Sequence, residues 1–117
     1  MSDYQSKLGL LISSLTLNDK VSKFQIGTLA SFYLRTFGLF PNLPKPTIGF
    51  TEDYCSLYII WAPDNIHFDI TIYKDRFEWF YENDITGECL SDNGTYIKDE
   101  IIKKLSVFLE YENTVEG

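Results

Sequence analysis

The sequence predicts an α+β fold: a four-stranded antiparallel meander with two N-terminal helices and one C-terminal helix packed on one face. Three observations carry that expectation. Apolar residues recur at helical spacing before residue 38 and again after residue 96. Between them, the run IHFDITIYKDRFEWFYEND at 66–84 alternates apolar and polar side chains with period two. A length of 117 residues, 44% of them hydrophobic and 16% aromatic, suits a single domain over 1–117 with its own core.

The first helix is expected at about 3–16, where Tyr4, Leu8, Leu11, Ile12 and Leu15 form one apolar stripe. The second, at about 22–37, carries its own start signal. Ser22 and Gln25 have the spacing of a capping box, and Val21 and Ile26 that of a hydrophobic staple. Its inner face is expected to be Ile26, Leu29, Ala30, Tyr33, Leu34 and Phe37, with Gly38 as a left-handed stop. The three prolines of FPNLPKP, residues 40–46, then forbid helix and give a stiff extended connector.

Strands are expected at about 47–52, 55–61, 66–73 and 76–83, with turns at 53–54, 62–65 and 74–75. The implied register pairs Ile48 with Ile59 and Phe50 with Leu57. It then pairs Trp61 with Ile66, Ile59 with Phe68 and Leu57 with Ile70, and finally Ile72 with Phe77, Ile70 with Trp79 and Phe68 with Tyr81. All three hairpins place the same apolar set on one inward face, with Cys55 on that parity as a small core residue. Residues 83–87 read as a turn, and SDNGT at 91–95 as the lead into a last helix at about 95–110. Its stripe is Ile97, Ile101, Leu105, Phe108 and Leu109, and the tail ENTVEG is expected to fray.

Charge is unevenly placed. The net value is −7, and residues 45–94 alone carry ten acids against three bases. Phosphate binding needs clustered Lys and Arg, so direct nucleic-acid contact and an anionic membrane surface are both disfavoured. A basic protein surface, by contrast, is attracted and steered by such a field. The runs LGLLI and LYIIWA are far too short to span a bilayer, and the amphipathic opening MSDYQSKLGLLISSL is no signal peptide, so a cytoplasmic protein is expected. Cys55 and Cys89 make no disulfide framework and lack CxxC spacing.

The outward parity of the strands is the unusual feature. It sets Tyr58, Ile60, Tyr73 and Phe80 among Asp69, Glu78 and Glu82, with Tyr58 expected opposite Asp69 and His67 between Ile60 and Glu82. Aromatic groups with acidic neighbours suit a mixed protein interface, although a plain solvated sheet face uses similar cross-strand pairs. Catalytic chemistry finds little support. The only histidine, His67, with Asp69 and Glu82 has the composition of a metal or acid–base trio. No glycine-rich phosphate loop, GxSxG or HExxH accompanies it. No catalytic residue, metal or cofactor is therefore expected.

Within residues 43–88, Leu43-Pro44-Lys45-Pro46 precedes a strand at Ile48, followed by Trp61, a hairpin through Ile70, the aromatic strand Trp79-Phe80-Tyr81 and the turn Thr86-Gly87-Glu88. That succession resembles a pattern in small, mostly uncharacterised bacterial α+β proteins and covers about 40% of the chain. It departs from the pattern at Tyr54-Cys55, where a glycine-bearing turn is usual. The resemblance implies an α+β meander and no catalytic residues. In size and acidity the chain is also similar to immunity proteins, antitoxins and phage inhibitors of host defence.

The expected function is thus a non-enzymatic protein-binding module that inhibits a larger, basic partner by occlusion. Tyr58, Ile60, Asp69, Tyr73, Glu78, Phe80 and Glu82 would be its contact residues. The alternatives are a ligand, metal or catalytic centre at His67, Asp69 and Glu82, and a homo-oligomer, such as a homodimer, that buries the open sheet face.

Overall fold

The computed structural model describes residues 3–44, 46–53 and 55–109, with side chains for all of these except 3–8 and 37. The side chains of the predicted core positions Tyr4, Leu8 and Phe37 are not described, and Tyr54 of the first turn and the tail lie outside the described residues. Two helices come first, α1 (Asp3–Thr16) and α2 (Lys23–Leu39). Strands β1 (Thr47–Phe50), β2 (Ser56–Trp61), β3 (Ile66–Tyr73), β4 (Phe77–Asn83) and β5 (Glu88–Gly94) follow in order. A short helix α3 (Asp99–Lys103) then runs into a 3-10 segment, Lys104–Phe108.

Among the described residues the sheet has five strands, not four, in the order β1-β2-β3-β4-β5 with every neighbouring pair antiparallel. The additional strand is β5, whose sequence ECLSDNG is exposed along nearly its whole length and shows no apolar alternation. Its Asp, Asn and Gly are poor strand formers. Pairing with β4 through the backbone, from Asn83 opposite Glu88 to Phe77 opposite Gly94, holds it in place instead. The reversal before it uses Gly87 at φ +80°, a conformation that costs glycine little.

The first and third hairpins hold the predicted register. The second is displaced by two residues: Trp61 faces Phe68, Ile59 faces Ile70 and Leu57 faces Ile72. The β2–β3 connection is wider than a four-residue turn, with residues 62–67 between the paired Trp61 and Phe68, and it turns at Asp64, which takes φ 48°, and Asn65. Ile66 and His67 consequently extend past β2 and pair with β4 alone. An even shift leaves the strand side chains on their predicted faces, but it changes each outward neighbour between β2 and β3.

The core lies between the inward face of the sheet and the helices. Leu57, Ile59, Trp61, Phe68, Ile70, Ile72, Phe77 and Tyr81 meet Leu29 and Phe32 from α2, Leu15 from α1, and Ile101, Ile102, Leu105 and Phe108 from the C-terminal helical segment. The helical part of that segment starts at Asp99 and passes into 3-10 from Lys104 to Phe108, so it begins later than the predicted 95. Cys55 is exposed, because β2 begins only at Ser56 and residue 55 belongs to the turn.

Helix α2 is rotated from the expected face. Its buried side chains are Gln25, Leu29, Phe32 and Thr36; the predicted Ile26 and Tyr33 pack against the core only partly buried, and Leu34 is 66% exposed. Gly38 lies inside the helix, which ends at Leu39 with the Phe40 amide donating to the Thr36 carbonyl at 2.7 Å. Two polar residues in the buried stripe explain the rotation. Gln25 closes the capping box: its Oε1 accepts from the Ser22 amide at 2.9 Å, and its own amide donates to Ser22 Oγ at 3.1 Å. Its Nε2 also donates to the Ile72 carbonyl at 3.4 Å, and Ser22 Oγ donates to the Lys74 carbonyl at 2.8 Å. The start of α2 is thereby riveted to the end of β3. Thr36 Oγ1 is buried with no hydrogen-bond partner among the described residues, an arrangement that costs about 1–3 kcal/mol.

Candidate functional site

Parity along β2, β3 and β4 sends one set of side chains to the core and the other to the outer face, and no described element packs over that outer face. The observed register arranges it in rows across the strands. One row is Thr47, Ile60, Asp69, Phe80 and Ser91; the next is Gly49, Tyr58, Thr71, Glu78 and Asn93. A shorter row joins His67, Glu82 and Cys89, and Ser56 pairs with Tyr73 at the other end. Tyr58 therefore faces Thr71 rather than Asp69, and Ile60 rather than Tyr58 stands beside Asp69. His67 has Glu82 on one side and no β2 partner on the other.

The side chains fall into three groups. At the β1 edge, the Tyr58 ring lies down over Gly49, where an added Cβ would overlap the ring. This glycine is the place where β1 lets an aromatic ring rest directly on backbone. In the middle, His67 Nε2 donates to Asp69 Oδ2 at 2.6 Å, and the His67 ring lies 5.7 Å from that of Phe80. Near the β3–β4 turn, Tyr73 Oη donates to Glu78 Oε2 at 3.3 Å. The Arg76 guanidinium stacks 4.5 Å over the Tyr73 ring and reaches Glu78 Oε1 at 3.9 Å and Asp75 Oδ1 at 3.5 Å. A shallow depression of about 290 Å³ separates the second and third groups, bounded by Phe80 and Asp69 on one side and Glu78 on the other.

Burial, and after it the neighbouring Glu78 carboxylate, pushes the Tyr73 phenol above its ordinary value of 10.0. The fold thus favours the neutral phenol. Its contribution to stability is complete below about pH 10 and is lost as pH rises through the raised value. In an alkaline absorbance titration, Glu78→Gln is expected to lower the Tyr73 transition part of the way toward ordinary tyrosine, with Tyr73→Phe identifying the signal. An unchanged transition in Glu78→Gln would contradict the role given to that carboxylate.

Of the seven predicted contact residues, Ile60, Asp69 and Phe80 share one row, Tyr58 and Glu78 share the next, and Tyr73 and Glu82 stand at opposite ends. Glu82 is exposed and faces His67 across the ladder, yet no group of three or more His, Cys, Asp or Glu side chains among the described residues is placed to hold a metal ion. Sequence reasoning missed Ser91 and Asn93, which widen this face through β5. No alternation marked them, because residues 91–94 are Ser, Asp, Asn and Gly in succession, a stretch that reads as a turn. No described helix is long and apolar enough to cross a membrane. Comparison with family models, curated proteins and solved structures found no match.

Proposed function

We propose that the chain is a small acidic protein-binding module that occludes the working surface of a larger, basic partner, acting in the cytoplasm in the manner of an immunity protein, antitoxin or anti-defence inhibitor. The observation that carries this reading is the outer sheet face. Half-buried Tyr58, Ile60, Tyr73 and Phe80 there alternate with Asp69, Glu78 and Glu82, uncovered by any described element. Rigid aromatic groups supply contact area at low entropic cost, and the acids supply orientation and fast association with a basic surface. The concentration of negative charge in residues 45–94 points the same way, since these residues build β1 to β5.

The test is retention of a partner from extracts of the native host by the tagged full chain at low and moderate salt. Phe80→Ala is the interface variant, and Leu34→Ala, on the helical side, the control. The expected result is a stoichiometric basic protein that salt weakens and that Phe80→Ala loses, while Leu34→Ala keeps it. Truncating a central anchor should weaken binding by about 2 kcal/mol or more, and a rim acid such as Glu82 by less. A partner held equally well by Phe80→Ala and Tyr73→Ala would place the contact elsewhere and end this reading.

A further inference from the structure

The depression on the outer face has a shape and chemistry that select one kind of side chain. Phe80 and Glu78 are two residues apart on β4, so they stand about 7 Å from one another on the same side of the sheet. Their lateral neighbours are short: Thr71 on β3 beside Glu78, and Ser91 and Asn93 on β5. The result is a slot with an aromatic wall, a carboxylate wall and hydrogen-bonding groups along its sides. Asp69, directly across from Phe80, brings a second carboxylate to the aromatic end.

The neighbouring part of the same face shows what such a setting holds. The Arg76 guanidinium carbon lies over the Tyr73 ring, 4.5 Å from its centroid, with Glu78 Oε1 3.9 Å from Nη2, so one guanidinium already sits beside both an aromatic face and this carboxylate. Phe80 and Glu78 repeat that pairing on the other side of Glu78. Glu78 accepts from Tyr73 through Oε2, and Asp69 accepts from His67 through Oδ2. A carboxylate has about four acceptor positions, so both retain capacity for a further donor. A guanidinium is planar, weakly hydrated and carries five donors, which suits a slot between a ring and carboxylates. An ammonium is compact and strongly hydrated, and it gains less from the ring.

We propose that this slot receives an arginine side chain of the protein partner, its guanidinium stacked on Phe80 and hydrogen-bonded to Glu78 and Asp69. This rests on the outer face being the contact surface, and it makes arginine rather than general basicity the feature recognised. The preference over lysine is about fivefold in affinity, the size of one cation–π contact.

The test titrates isotope-labelled full chain with a glycine–serine nonapeptide bearing three arginines and with its three-lysine twin of equal charge, followed by backbone amide shifts. The expected result is tighter binding of the arginine peptide, with shifts centred on Thr71, Phe80, Ser91 and Asn93. Phe80→Leu, which keeps apolar bulk but removes the ring, should abolish the preference while its dispersed spectrum reports an intact fold. Equal response to both peptides at this face, or arginine shifts centred on other acidic residues such as Glu52 and Asp53, would overturn the arginine slot. If neither peptide shifts the face but Phe80→Ala still loses the captured partner, the slot is overturned and the inhibitor reading stands. Loss of both results removes the two together.

Discussion

Replacing Trp61 with alanine is expected to lower the free energy of unfolding by about 4 kcal/mol, a large share of the 5–15 kcal/mol typical of a domain this size. The indole ends β2 where four parts of the chain meet, and only 3% of the residue is exposed. Its ring lies 6.0 Å from that of Phe108, 6.1 Å from Phe68 and 6.3 Å from Phe32, tying the sheet to α2 and to the C-terminal segment. Nε1 donates to the Pro44 carbonyl at 2.8 Å, so the proline-rich connector is held by the same side chain. Alanine removes both the filling and the tie. Urea denaturation followed by circular dichroism reads the loss, and Trp61→Phe, at about half the cost, separates the hydrogen bond from the packing. A loss below about 1 kcal/mol for Trp61→Ala would mean that the site collapses around the gap and that the junction is not where the layers are joined.

Gln25→Leu is the second large effect, expected at about 2 kcal/mol although leucine is close in size and apolar. Hydrophobic substitution at a fully buried position is often benign. Here it leaves the Ser22 amide and the Ile72 carbonyl without the partners they have in the native chain. Ser22→Ala, which removes the cap and the bond to Lys74, should cost about 1 kcal/mol. The two residues share one network, so the double variant should lose less than the separate losses added together. Additive losses in that cycle would show that the cap and the strand contact act independently.

These two residues also show where the fold was legible. Alternation placed β2, β3 and β4 correctly by face, because a period of two survives an even shift of register. It could not measure the width of the β2–β3 connection, since Asp64 at φ 48° is a conformational choice outside hydrophobic periodicity. Reading α2 by its apolar residues turned the helix, because Gln25 and Thr36 occupy the buried stripe for reasons of hydrogen bonding and packing rather than hydrophobicity. β5 escaped because its place depends on the ladder offered by β4 and hardly on its own side chains. The candidate surface suffered accordingly. Its membership was readable from parity, whereas its neighbour relations and the slot beside Phe80 required the true register and the fifth strand.

The order of the sheet bears on how quickly the chain can find its structure. Every ladder joins strands consecutive in sequence, so each pairing closes only a short turn and loses little chain entropy. Low sequence separation between partners favours rapid folding, one hairpin extending the last. The links from Gln25 to Ile72 and from Ser22 to Lys74 span 47 and 52 residues, and they close much larger loops. Helix docking is thus expected to come late. In stopped-flow experiments Gln25→Leu should refold at nearly the parent rate and show its deficit as faster unfolding. A slowed refolding limb would instead place the helix-to-strand rivet inside the folding nucleus.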